Sequence, residues 1–145
     1  MRFSVEANTS PSTLFAVVAD FANLDAWDPF VRASWLEHGG SLAVGAVYAL
    51  RSVGGMTLRY RVAEADPPRR VVFRGGSKRV TSTDTIEVDA TGTGSRVTVT
   101  STLVYTGWAR LAAPLIWGFI WLGGRFGSLP ALRKHLSTLG ERLVD

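Results

Sequence analysis

Residues 108–143 read WARLAAPLIWGFIWLGGRFGSLPALRKHLSTLGERL, and the rest of the chain is organised around them. Leu111, Leu115, Phe119, Leu122, Phe126, Leu129, Leu132, Leu136, Leu139 and Leu143 follow one another at steps of three or four residues. On a helix that spacing forms one continuous apolar stripe. Ile116, Trp117, Ile120 and Trp121 make the first half apolar nearly all round, and a helix of that kind has to be covered by something large. Pro114 belongs in the first turn, where a missing N–H does no harm. Gly123, Gly124, Gly127 and Pro130 weaken the middle, because a glycine inside a helix costs about 1 kcal/mol relative to alanine and a proline about 3 kcal/mol. A kink or break is therefore expected between Gly123 and Pro130.

What covers the helix is read upstream. Phe3, Val5 and Ala7 alternate with polar residues, which is the pattern of a half-buried strand. Ser10 suits an N-cap and Pro11 a first helical position, so a short helix runs to about Asp20. Residues 21–29, FANLDAWDP, predict a second short helix closed by Pro29. Strands then follow at Phe30–Glu37, Ala46–Val53, Met56–Ala65, Arg69–Arg74, Arg79–Asp89 and Ser95–Thr106, separated by Gly- and Pro-containing turns. Seven strands, two early short helices and one long late helix predict an α+β antiparallel fold in which a curved sheet is the cover for the C-terminal helix.

Composition narrows the functional classes. The chain has 145 residues, 46% apolar and 19% charged, as expected for one globular domain spanning 1–145. It has no cysteine, which removes disulfides and thiolate chemistry from consideration. The opening MRFSVEANTS lacks the apolar core of a signal peptide, and a cytoplasmic location is expected. The uncharged apolar run Leu111–Leu122 is shorter than the about 20 residues a membrane-spanning helix needs. Fourteen arginines and two lysines give a net charge of +4. They are scattered among threonines and acids rather than clustered with stacking aromatics, so no nucleic-acid partner is expected. Two histidines, His38 and His135, give no metal cluster, and neither a nucleophile motif nor a phosphate loop is present. No cofactor is expected.

Strand parity says which side chains face the helix. In the sixth strand the apolar parity holds Val80, Ser82, Asp84, Ile86 and Val88; in the seventh, Val97, Val99, Ser101, Leu103 and Tyr105. In the fourth it holds Met56, Leu58, Tyr60 and Val62, sending Arg59 and Arg61 outward, and the fifth contributes Val71 and Phe73. Tyr48 is placed inward on a less regular strand. The inward face is thus apolar with a few polar groups, and the outer face is wet and rich in arginine.

These elements resemble a family. AVVADFANLDAWDPFV (16–31), LRYRVAEADPPRRVVFRG (58–75), DTIEV (84–88) and GSRVTVTSTL (94–103), set before the long helix, are similar to the START-like (SRPBCC, helix-grip) superfamily and, within it, to bacterial polyketide cyclase/dehydrase-like proteins. The resemblance covers essentially the whole chain and implies an elongated apolar cavity between sheet and helix. It implies a hydrophobic, lipid-like or polyketide-like ligand, and in some members cyclisation or dehydration.

The candidate ligand-binding residues are Trp27, Tyr48, Leu58, Tyr60, Phe73, Ser82, Asp84, Ser101, Leu103, Tyr105, Leu115, Phe119, Leu122 and Phe126. Asp84 carries the sharpest chemistry: buried among Val80, Ile86 and Val88, its charged form is disfavoured, which suits a general acid or base. The alternative is a structural aspartate hydrogen-bonded to a tyrosine, serine or backbone N–H. Tyr60 and Tyr105 would polarise a substrate carbonyl or fill space with their hydroxyls satisfied elsewhere. Trp27 and Asp28 would gate the cavity, or else pack the second helix and cap backbone donors before Pro29. Trp117 and Trp121 would pack on the sheet, or form an exposed face that makes a homodimer or meets a membrane surface. A binding or carrier protein, monomeric or homodimeric, and a cofactor-free enzyme are both consistent with these residues.

Overall fold

The computed structural model describes residues 1–76, 80–107, 110–111, 113–115, 118, 122 and 124–144. Strand β1 (Arg2–Ala7) is followed by helix α1 (Pro11–Ala19), a 3-10 helix (Phe21–Ala26), and strands β2 (Val31–His38), β3 (Val47–Ser52), β4 (Thr57–Asp66), β5 (Arg70–Gly76), β6 (Val80–Thr91) and β7 (Gly94–Tyr105). A π-helical turn (Gly124–Ser128) leads into helix α2 (Leu129–Val144). Arg110, Leu111, Ala113, Pro114, Leu115, Gly118 and Leu122 are helical as well.

The strands form one antiparallel sheet in the order β1-β7-β6-β5-β4-β3-β2. The jump from β1 to β7 places the first and last strands side by side, with Phe3 opposite Val99 and Val5 opposite Val97. Register shifts between Val31 and Ala33, between Leu36 and His38, and between Val62 and Glu64 bend the sheet, because an extra residue on one strand increases its local twist. The result is a curved, unclosed sheet. The outer face carries cross-strand ion pairs: Arg59 holds Glu37 with two hydrogen bonds of 2.8 and 2.9 Å, Arg70 contacts Glu64 and Glu87, and Arg96 contacts Glu6.

The start of α1 matches its sequence signals. The Ser10 Oγ accepts the Thr13 N–H at 3.2 Å, and Pro11 opens the helix. The next segment differs from the expected second helix of residues 21–29. It is a 3-10 helix that ends at Ala26. Asp20 caps it by accepting the Ala22 N–H at 3.1 Å, and Ser34 on β2 fixes it from the side, its hydroxyl donating to the Ala22 carbonyl and accepting the Asp25 N–H. Phe21 is thereby stacked on Phe73 of β5, with ring centroids 3.8 Å apart.

The core lies between α1, the 3-10 helix and the concave face of the sheet. Leu14, Phe15, Val18, Ala19, Phe21 and Leu24 are buried there against Val62, Val71, Phe73, Ile86 and Val97. Here the single apolar stripe expected over residues 111–143 needs correcting. Leu132 and Leu136 are buried, at 0% and 7% exposure, but Leu111, Leu115, Leu122 and Phe126 are 54–87% exposed. The reason is the π-helical turn. Its wider i→i+5 closure breaks the 3.6-residue phase, so side chains before and after it no longer share one face. The break falls within the interval that its glycines and Pro130 mark in the sequence.

Candidate functional site

Sheet register assembles the site. Tyr60 on β4 lies opposite Gly75 on β5, which lies opposite Ser82 on β6. In the neighbouring row Phe73 on β5, Asp84 on β6 and Ser101 on β7 stand side by side. Direct partners in an antiparallel sheet share a face, so four polar side chains drawn from three strands meet in one patch. Gly75 is what lets Tyr60 lie over it: a Cβ there would come within 2.4 Å of the Arg59 carbonyl oxygen and 2.6 Å of the Tyr60 ring.

Within the patch Asp84 is the acceptor. Ser82 donates to its Oδ2 at 2.9 Å, Ser101 donates to its Oδ1, and Tyr60 hydrogen-bonds Ser82 in turn. Burial pushes the Asp84 carboxyl above its ordinary value; the two serine hydroxyls and the N-terminal ammonium pull the other way and only partly offset it. The Tyr60 hydroxyl is pushed up to about 12, by burial first and by the nearby Asp84 charge second. It is therefore a neutral donor throughout the working pH range.

This patch forms one wall of a pocket of about 250 Å³, partly open to solvent. Phe3, Ile86 and Val99 extend the same wall along the sheet; Val31 and Leu50 continue it on β2 and β3. Val18, Phe21, Leu24 and Trp27 form a second wall, and Ser128 and Leu132 a third. Asp28 lies at the seam between these last two, where its Oδ1 accepts the Phe30 N–H at 2.9 Å and the Ser128 hydroxyl at 3.1 Å. Burial raises the Asp28 carboxyl too, against those two hydrogen bonds. The π-helical turn approaches this seam closely at Gly127, where a Cβ would sit 2.5 Å from the Phe30 ring and would have to displace it.

The residues singled out in the sequence fall into five groups. Trp27, Tyr60, Asp84 and Ser101 line the pocket, and Ser82 stands behind Asp84 as a donor. Tyr48 and Phe73 are fully buried in the core, in edge-to-face contact 5.8 Å apart; Tyr48 accepts the Leu42 N–H at 2.9 Å, which satisfies its hydroxyl locally. Leu58 packs on the core, and Leu103 and Tyr105 continue β7 beyond the pocket. Leu115, Leu122 and Phe126 are largely exposed and are not among the residues that line this pocket. Phe119, Trp117 and Trp121 lie outside the described residues.

Pocket residues outside the candidate set are Phe21, Leu24, Asp28, Val99, Ser128 and Leu132, among others. Asp28 carries a signal, the Asp-Pro pair that suggested capping, and its capping bond to Phe30 is present. Ser128 carries none, because its partner is 100 residues away. Among the described residues no three His, Asp or Glu side chains come together as a metal site, and no helix is long and apolar enough to cross a membrane.

The architecture, a curved antiparallel sheet with a C-terminal helix over its concave face, is the helix-grip class. Residues 1–134 match the model of the family described as polyketide cyclase/dehydrase and lipid transport, and the chain belongs to that family. Solved structures share the fold. A Thermobifida fusca protein studied by solution NMR superposes with a TM-score of 0.70 at 21% identity, covering 96% of this chain and 93% of that one. The protein XoxI from Bacillus cereus gives 0.68 at 21% identity over 97% and 96%, and a Mycobacterium smegmatis protein 0.63 at 18% over 95% and 90%. No curated protein matches the chain by sequence.

Proposed function

We propose that the protein binds a small hydrophobic molecule, lipid-like or polyketide-like, in the pocket between the curved sheet and α2, and that it acts as a carrier or binding protein. The observation that carries this reading is the pocket's construction: aliphatic and aromatic side chains on three sides, with a small polar patch on one wall. Ligand sites generally look like this, an apolar concavity in which a few placed polar groups set orientation. A volume of about 250 Å³ lies just under the usual range of about 300–1,000 Å³, so the occupant is small or leaves part of itself outside. Family membership supports the same class of ligand.

Native mass spectrometry of the purified protein, followed by solvent extraction, tests this; a stoichiometric apolar molecule is expected. Val99→Trp, which projects a large ring into the pocket, should abolish uptake while leaving the fold intact. Undiminished uptake by a folded Val99→Trp protein would put the ligand elsewhere and end this reading.

A second reading is a cofactor-free cyclase or dehydratase in which Asp84 exchanges protons with the substrate and Tyr60 polarises a carbonyl. The observation favouring it is the Tyr60–Ser82–Asp84–Ser101 chain with a carboxyl whose proton affinity is raised by burial. Tyr105, the other tyrosine considered for this role, has a buried hydroxyl with no partner among the described residues and lies outside the pocket lining. Loss of turnover in Asp84→Asn with binding retained supports the enzymatic reading. Unchanged turnover removes the mechanism.

A further inference from the structure

The pocket's polar groups have a sign. Two carboxylates, Asp28 and Asp84, face it, and no lysine, arginine or histidine side chain among the described residues does. The remaining polar side chains on its walls are the hydroxyls of Tyr60, Ser101 and Ser128 and the indole N–H of Trp27. One cationic group reaches the wall, the Met1 ammonium; one of its three N–H groups donates to the Ser101 carbonyl at 2.7 Å, and its charge partly offsets that of Asp84. Each oxygen of Asp84 accepts one serine hydroxyl. A carboxylate has room for about four hydrogen bonds in all, so acceptor capacity is left over on that wall. The Trp27 side chain lines the pocket as well, and its Nε1 is buried with no acceptor among the described residues.

An anionic head entering this pocket would lose its hydration and meet two carboxylates against a single cation, the Met1 ammonium, whose charge Asp84 already shares. Burying a charge without a partner is among the largest penalties a protein interior imposes. A hydroxyl or an ammonium meets the opposite situation: it donates into unused carboxylate lone pairs, and a charge-assisted hydrogen bond of that kind is about twice as strong as a neutral one. A hydroxyl oxygen also accepts from an N–H donor.

We propose that the pocket selects a neutral or cationic amphiphile, a compact apolar body bearing a hydroxyl or ammonium head directed at Asp84, and rejects the carboxylate of the same body. This rests on the binding reading above and names its ligand class. On that account a free fatty acid, or any other carboxylate-headed lipid, is a poor ligand, and an alcohol or amine of similar skeleton a good one.

Isothermal titration of the full chain at neutral pH with naphthalene, 2-naphthylmethanol, 2-naphthylmethylamine and 2-naphthoate separates the possibilities. The alcohol and the amine are expected to bind, with the carboxylate weaker by about tenfold or more. In Asp84→Asn the gap between amine and carboxylate should narrow while the alcohol is retained. Asp28→Asn should narrow it as well, and supplies the same readout if Asp84→Asn does not fold. Equal or tighter binding of 2-naphthoate overturns the head-group inference and leaves the pocket reading standing. So does a gap that survives both substitutions. If none of the four probes binds, naphthalene included, the pocket reading fails and takes the inference with it.

Discussion

Two helical regions meet the concave face of the sheet, and they do so to different depths. The segment Pro11–Ala26 buries Leu14, Phe15, Val18, Ala19, Phe21 and Leu24 and is fixed at its side by Ser34. From the C-terminal region, Leu132 and Leu136 are buried and Leu129 partly so, while Leu111, Leu115, Leu122 and Phe126 stand in solvent. The pocket lies between the two. One wall is part of the core; among the described residues, the other is attached by Leu129, Leu132, Leu136 and the Ser128–Asp28 hydrogen bond. Segments with fewer buried apolar contacts open at lower free energy, so a ligand bound as proposed above would exchange on the α2 side.

The contrast can be broken by truncation. Phe15→Ala, in the core on the α1 side, should cost about 3–5 kcal/mol and Leu132→Ala, on the α2 side, about 2–5 kcal/mol in chemical denaturation. If Leu132→Ala proves the more damaging of the two, the ranking of the walls is reversed. Gly75→Ala comes next. Its Cβ would meet backbone, the Arg59 carbonyl oxygen, and overpacking of this kind costs about 1–3 kcal/mol. It should also displace Tyr60 and weaken ligand binding, which titration of the folded variant would show.

Asp84→Asn sharpens the comparison from the polar side. The folded carboxyl has its proton affinity raised above the ordinary value of 3.8. Its contribution to stability is therefore complete below that value and is lost as pH rises through the folded pKa. Asparagine never ionises and can keep both serine contacts, accepting from one and donating to the other. The variant should melt above the wild type at neutral pH, with the advantage fading on acidification; a constant difference across pH would contradict the assignment. Leu115→Ala should have the smallest effect, within about 0.5 kcal/mol, as an exposed substitution does. A loss like that of Leu132→Ala would show that something covers Leu115 in solution.

Much of the site is legible in the sequence. The parity of β4, β6 and β7 placed Tyr60, Ser82, Asp84 and Ser101 on the face that turns inward, because alternation is a local property with a period of two. Ser10 and Pro11 marked the start of α1 for an equally local reason. The 3-10 geometry of Phe21–Ala26 was not legible, since Ser34 holds it from another strand. Nor was the fate of Leu115, Leu122 and Phe126. A stripe counted in threes and fours assumes one unbroken helical phase, and the π-helical turn at Gly124–Ser128 ends that phase.

By itself, then, the sequence determined the strands and their order, their inward parity and Asp84 as one of the two carboxylates that face the pocket, all of which follow from interactions a few residues long. Only the tertiary structure decided which apolar face of the C-terminal region is covered, that Gly75 makes room for Tyr60, and that Asp28 joins the pocket through Ser128. Those outcomes depend on backbone approach between distant segments, and no spacing rule along the chain contains that distance.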